Sequence, residues 1–149
     1  MPIPHVADPL GVILLRLQRS LERELIQGLQ AGGYPDIRMR QLSVLDAVGA
    51  EGAKAAALAA RFDMTKQSMG ELIDDLERSG YLGRAQDPSD RRARILELTP
   101  RGKVATEQCR QIVQAIERRY ESLLGASRYH ETRMSLTALL QHLEDDPVS

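Results

Sequence analysis

Tryptophan is absent from this 149-residue chain, phenylalanine occurs once, and four tyrosines complete the aromatic set. Proteins that hold single-stranded nucleic acid stack bases on aromatic platforms, so this scarcity argues against that class. One cysteine rules out an internal disulfide. The three histidines, His5, His130 and His142, are scattered, and no spacing suggests a metal site. No apolar run approaches the roughly 20 residues that span a bilayer. The N-terminal MPIPHVADPL lacks the basic start and apolar middle of a signal peptide, and a cytoplasmic setting is expected. Glycine-rich phosphate loops and nucleophile elbows are missing. Asp74-Asp75 and Asp145-Asp146 are adjacent pairs, and neighbours on a helix do not share a face. No catalytic residue, metal or cofactor is expected, and the chain does not read as an enzyme. Its length is that of one domain, enough to bury roughly 70% of the unfolded surface without covalent staples.

The net charge of −1 says little about partners until its distribution is considered. From Arg84 to Lys103 there are six cations (Arg84, Arg91, Arg92, Arg94, Arg101, Lys103) against three acids (Asp87, Asp90, Glu97). A local positive patch is an electrostatic footprint for a polyanion even on a nearly neutral protein.

Within that segment, Tyr81 to Gln86 has β-formers and no helical period. Ala93 to Leu98 alternates, with Leu96 and Leu98 on one face and Arg94 and Glu97 nearer solvent. Between them Asp87-Pro88-Ser89-Asp90 favours a turn and forbids helix. The pattern predicts a two-stranded ribbon with Arg91, Arg92 and Arg94 near its tip.

Two helices precede it. Lys54 to Arg61 is a run of strong helix formers with Leu58 and Phe62 on its buried side. Asp63-Met64 interrupts it, and Thr65 is placed to cap the next helix, with Met64 and Met69 at hydrophobic-staple spacing. Met69, Leu72, Ile73 and Leu76 then form an apolar stripe, while Lys66, Gln67, Gly70, Glu71 and Asp74 fall opposite. Gly80 suits a left-handed helix end. A short helix, a tight turn and a longer helix with a polar outer face can present a recognition helix to the major groove.

The run from Leu58 to Gly102 resembles the winged helix-turn-helix of the MarR (multiple-antibiotic-resistance regulator) family. The resemblance rests on Asp87-Pro88-Ser89-Asp90-Arg91-Arg92, on Leu98-Thr99-Pro100-Arg101-Gly102, and on Leu76-Glu77-Arg78-Ser79-Gly80-Tyr81-Leu82; length and helix order extend it loosely over the whole chain. It implies a mainly α fold with a small β-hairpin wing. A winged helix-turn-helix lobe (36–100) would be joined to a helical dimerisation lobe (1–35 and 101–149). It also implies a homodimeric transcription regulator, usually a repressor, often released from DNA by a small molecule. The chain departs from the family at Gly70 and Glu71, where many members carry an arginine. Some members sense oxidants through a thiol near the start of the first helix. Here Cys109 lies instead on the seam of a later helix, where an inert thiol is expected.

The flanking segments read as helices. Asp8-Pro9 looks like a cap followed by proline at the first helical position. Leu10, Leu14, Leu17, Leu21, Leu25 and Leu29 follow at helical spacing, widened by Ile13 and Ile26, up to Gly32-Gly33. A second helix is expected from about Ile37 to Val48. Pro100 opens a long helix with Ala105, Cys109, Ile112, Ile116, Tyr120 and Leu123 on its seam. Gly125 ends it, Ser127 is placed to cap a last helix with Leu136, Leu139, Leu140 and Leu143, and Pro147 ends the order. Such wide apolar faces at both chain ends suit a two-fold dimer; packing of the terminal helices on the winged lobe is the alternative.

The expected partners are double-stranded DNA with a palindromic operator, a second copy of the chain, and a small-molecule effector held by the first, second and fifth helices; no membrane is expected. At the DNA, Thr65, Lys66, Gln67 and Ser68 are expected to approach the major groove. Arg91 is expected in a narrow minor groove, with Arg84, Arg92 and Arg94 at phosphate. Arg92 has a second option, pairing with Asp90 or Asp74. Gly70 allows close approach of DNA or of a packed helix, and Glu71 accepts from cytosine or repels phosphate. A winged-helix module that binds protein without specific DNA contact is the rival reading, and the arginine-rich wing favours DNA.

Overall fold

The computed structural model describes residues 8–145. His5, Asp146 and Pro147 lie outside them. Six helices and one hairpin follow in the order α1 (Leu10–Ala31), α2 (Met39–Val48), α3 (Ala55–Arg61), α4 (Lys66–Arg78), β1 (Leu82–Gln86), β2 (Arg94–Leu98), α5 (Pro100–Leu124) and α6 (Ala126–Asp145). The chain is therefore mainly helical with one antiparallel wing, as the sequence predicts. It forms two compact units, residues 1–110 and residues 111–149, divided within α5.

In the first unit the core is made by Leu25 and Leu29 of α1, Leu42, Val44, Leu45 and Val48 of α2, Leu58 of α3, Met69, Ile73 and Leu76 of α4, and Ile95 and Leu96 of β2. The apolar stripe predicted on α4 faces inward. α1 differs along its length. Leu25 and Leu29 are buried, whereas Leu10, Ile13, Leu14 and Leu17 are 39–53% exposed. The seven-residue α3 and the thirteen-residue α4 pack on each other, and α4 also packs on β1.

The turn between α3 and α4 is closed by backbone. The Met64 amide donates to the Ala59 carbonyl at 2.9 Å and the Asp63 amide to the Ala60 carbonyl at 3.2 Å. Asp63 takes the left-handed position with φ +50°, which aspartate tolerates better than most residues. At the far end of α4 the same arrangement recurs with Gly80 at φ +78°: Tyr81 donates to Leu76 and Gly80 to Glu77. This left-handed stop turns the chain sharply from α4 into β1.

Three boundaries differ from the sequence reading. α2 begins at Met39, because Arg38 is extended and its amide donates to Gln41 Oε1 at 2.8 Å, leaving Ile37 buried ahead of the helix. Pro9 occupies the N-cap position of α1, and Asp8 instead accepts from Arg16 at 2.8 Å. Ser127 lies inside α6, where its hydroxyl donates to Glu131, so it is no cap. Gly125, at φ +83°, makes the α5–α6 corner.

In the second unit Ile116 is buried, while Leu123, Leu124, Met134, Leu139, Leu140 and Leu143 are 44–66% exposed. α6 has no buried residue. Among the described residues, no helix is long and apolar enough to cross a membrane.

Candidate nucleic-acid interface

The recognition-helix candidate starts as its sequence dictates. Thr65 is extended, and its Oγ1 accepts from the Ser68 amide at 3.0 Å. The same hydroxyl donates to Ser68 Oγ at 2.9 Å. Thr65 is thereby committed to its own helix, whereas the Ser68 hydroxyl keeps its proton for another acceptor. Lys66, Gln67 and Ser68 are exposed on this first turn, where free amides and the helix dipole favour an anion. Gln67 Nε2 donates to Glu71 Oε1, one turn on, at 3.3 Å.

Gly70 lies mid-helix. A methyl group there would meet no atom within 4 Å, so packing against a neighbour does not account for the residue. Gly70→Ala is therefore expected to stabilise the fold by about 1 kcal/mol. If the α4 backbone approaches DNA at this point, the same change weakens duplex binding. Urea unfolding and a binding titration check the two effects; unchanged affinity removes Gly70 from the interface.

The wing pairs Leu82 with Leu98 through Gln86 with Arg94 in antiparallel register. Ala53, just before α3, adds an isolated bridge to Leu96, with bonds of 3.0 and 2.8 Å. This third strand element was not foreseen, because Ala between Gly52 and Lys54 carries no strand signal.

The tip is held by Asp87, which is buried at 5% exposure. It accepts from the Ser89 amide at 2.8 Å, the Ser89 hydroxyl at 2.7 Å and Lys54 Nζ at 3.0 Å. The Ser89 hydrogen bonds, followed by Lys54, hold its carboxyl down at about 2. A carboxyl depressed below its ordinary 3.8 contributes stability that is present above that value and is lost as pH falls toward 2. The melting-temperature gap between the native protein and Asp87→Asn is therefore expected to be full at neutral pH and to narrow between about pH 4 and pH 2. A gap that does not change with pH contradicts this role.

The wing cations divide into two groups. Arg91, Arg92 and Arg94 are exposed and make no ion pair with a described residue. Arg84, expected at phosphate, is clasped by acids of α4. Its Nε and one terminal nitrogen donate to the two oxygens of Glu77 at 2.8 and 3.1 Å, and Asp74 lies 3.7 Å away. The Glu77 hydrogen bonds raise the Arg84 pKa further. Arg92 was the candidate for such a brace; its backbone amide reaches Asp90 at 3.0 Å, but Asp74 is taken by Arg84. Arg84 thus ties β1 to α4, a fork geometry that is specific even where exposed ion pairs contribute little energy.

A second tie lies where the wing leaves α4 and returns to α5. Tyr81 is buried and donates its hydroxyl to Asp36 Oδ1 at 2.6 Å. Arg101 donates to the same hydroxyl at 3.0 Å, and its guanidinium lies 4.8 Å from the Tyr81 ring centre and 5.6 Å from that of Tyr34, within cation–π range. Burial raises the Tyr81 pKa, and the bond to Asp36 raises it further. Burial pushes Asp36 upward, but the Tyr81 hydrogen bond and Arg101 leave it lowered on balance. Thr99 caps α5, accepting from the Gly102 amide at 3.0 Å, while its hydroxyl donates to the Gly80 carbonyl. Gly102 is required by close approach: a Cβ there would lie 2.2 Å from the Tyr81 carbonyl oxygen. The Thr-Pro-Arg-Gly run is thus a cap, a helix start, a cation over two rings and a contact point with no room for a side chain.

A cleft of about 220 Å³ opens between α2, the end of β2 and the start of α5, lined by Leu45, Asp46, Gly49, Ala50, Leu98, Lys103, Thr106 and Arg110. Residues of α1, expected as a wall, do not line it. Cys109 is half-buried, and burial, with Asp46, raises its pKa, so the unreactive thiol form prevails near neutrality. Among the described residues, no group of histidine, cysteine and carboxylate side chains could hold a metal ion.

Comparison with known proteins agrees with this architecture. The model of the MarR family matches residues 35–93, from the middle of the α1–α2 loop through the wing tip. These residues match that family model and form a winged helix. FabT of Streptococcus pneumoniae, solved in complex with DNA, superposes with a TM-score of 0.78 at 21% identity, over 91% of this chain and 95% of that one. The reduced form of MarR from E. coli gives 0.74 at 23% identity, over 91% and 99%. The regulator Tm0710 of Thermotoga maritima gives 0.66 at 25% identity, over 93% and 96%. No curated protein matches the sequence significantly. The MarR-type fold is thus shared along nearly the whole chain at low identity.

Proposed function

We propose that this MarR-type protein is a dimeric, sequence-specific regulator of transcription that binds double-stranded DNA. The observation that carries the reading is the pairing of two exposed features in one unit. The first is a capped α4 that presents Lys66, Gln67 and Ser68; the second is a wing tip where Arg91, Arg92 and Arg94 make no ion pair with a described residue. In this reading residues 36–100 form the DNA-binding lobe. α4 enters the major groove, Arg91 reaches into the flanking minor groove, and Arg92 and Arg94 meet phosphate. Thr65 acts through the helix start it caps, and Arg84 positions the wing against α4. A similarly folded protein solved with DNA supports the reading.

Residues 1–35 and 101–149 supply the dimer contacts. The exposed leucines of α1 and α6 are apolar surface that a second copy would cover. Two recognition helices would then meet successive major grooves, about 34–36 Å apart on one face of the duplex. Repression relieved by a small effector follows if a ligand favours one spacing of these helices over another. The cleft between α2 and α5 has room only for a small molecule. The protein acts in the cytoplasm, where its DNA is.

Selection of bound duplexes from a random pool tests the reading. A two-fold symmetric consensus is expected, with binding that weakens steeply as salt rises, because neutralised phosphates release counterions. A pool that stays random after repeated selection contradicts it and leaves a protein-binding winged helix in its place.

A further inference from the structure

The recognition-helix candidate is acidic, and its acids are not equivalent. After the first turn it holds Glu71, Asp74, Asp75 and Glu77. Glu77 and Asp74 hold Arg84, and Asp75 pairs with Arg78 at 3.0 Å. Glu71 makes no ion pair with a described residue. It is exposed, it stands one turn beyond Gln67, and it follows Gly70, whose missing side chain leaves open space. On a face turned toward a polyanion, an unpaired carboxylate is unfavourable unless it meets a donor.

Base edges in the major groove restrict which donor that is. Guanine offers only acceptors there, and thymine an acceptor and a methyl group; adenine sets an acceptor beside its amino group, while cytosine offers an amino group alone. An ionised carboxylate only accepts, so cytosine suits it and guanine repels it. We propose that Glu71 is a specificity-determining residue that reads the amino group of a cytosine in each half-site. Gln67 is oriented by the same carboxylate. One of its amide hydrogens is directed to Glu71, and the other, with the amide oxygen, is left for the two-point contact that adenine accepts. The inference rests on the reading of α4 as the DNA-recognition helix.

Parallel selections from one random duplex pool, with the native protein, Glu71→Ala and Glu71→Gln, test it. The native consensus is expected to hold a cytosine at one position in each half-site. Glu71→Ala loses the preference at that position and keeps it elsewhere. Glu71→Gln moves the position toward adenine. On the selected operator, replacing that cytosine by thymine should weaken the native protein about tenfold or more and leave Glu71→Ala unaffected. If both variants keep the cytosine, or if Glu71→Ala simply binds every duplex more tightly with an unchanged consensus, the inference is overturned while DNA binding stands. No enrichment with the native protein overturns the DNA-binding reading itself.

Discussion

Replacing Arg91 and Arg92 together by alanine is expected to lower affinity for a selected operator on the order of 100-fold, about 1.4 kcal/mol for each arginine. The slope of log affinity against log salt should flatten by about two units, since each cation withdrawn from the duplex, whether at phosphate or in the minor groove, restores close to one counterion. The fold should be indifferent. Both side chains are exposed and make no ion pair with a described residue, the ladder from Leu82–Leu98 to Gln86–Arg94 does not depend on them, and the tip is held by Asp87, Ser89 and Lys54. Arg84→Ala is the informative contrast. It removes a cation of the same segment, but one already neutralised by Glu77 and Asp74. Its loss should loosen the wing and cost affinity while leaving the salt slope nearly unchanged. Equal slopes for the native protein and the double variant would take the wing tip off the DNA.

The second large effect concerns assembly. Leu14→Asp with Leu17→Asp places two carboxylates on the exposed apolar stretch of α1, where the native leucines are 39% and 52% exposed. Neither side chain is needed by the first unit's core, so the monomer should fold. An unpaired charge buried at an interface costs several kcal/mol, enough to separate subunits at micromolar concentration. Sedimentation should show a change from two chains to one, with loss of operator affinity, because each half-site would then be bound alone. A double variant that still sediments as a pair would place the contact elsewhere.

What the sequence made legible was local. Thr65 as a cap, Asp63-Met64 as a break, Gly80 as a left-handed stop and Asp87-Pro88 as a turn each act over a few residues, and together they placed α3, α4 and the wing. What it did not make legible depends on partners far along the chain. Arg92 was the arginine expected to reach Asp74, and it is the position of β1 beside α4 that brings Arg84 there. Lys54 meets Asp87, and Asp36 meets Tyr81, across separations that no local pattern encodes. Ala53 joins the wing without strand propensity, because Leu96 offers it both backbone partners. The leucine stripe of α1 was visible, but periodicity alone cannot say where along a helix burial stops; it stops N-terminal to Leu21.

The most direct measurement is sedimentation velocity of the unmodified protein, alone and with a selected duplex, at about 50 mM and about 200 mM salt. Two chains travelling together in either buffer, and two chains on each duplex at the lower salt with marked release at the higher, is the predicted result. A single chain that leaves the duplex peak unmoved in both buffers would contradict it.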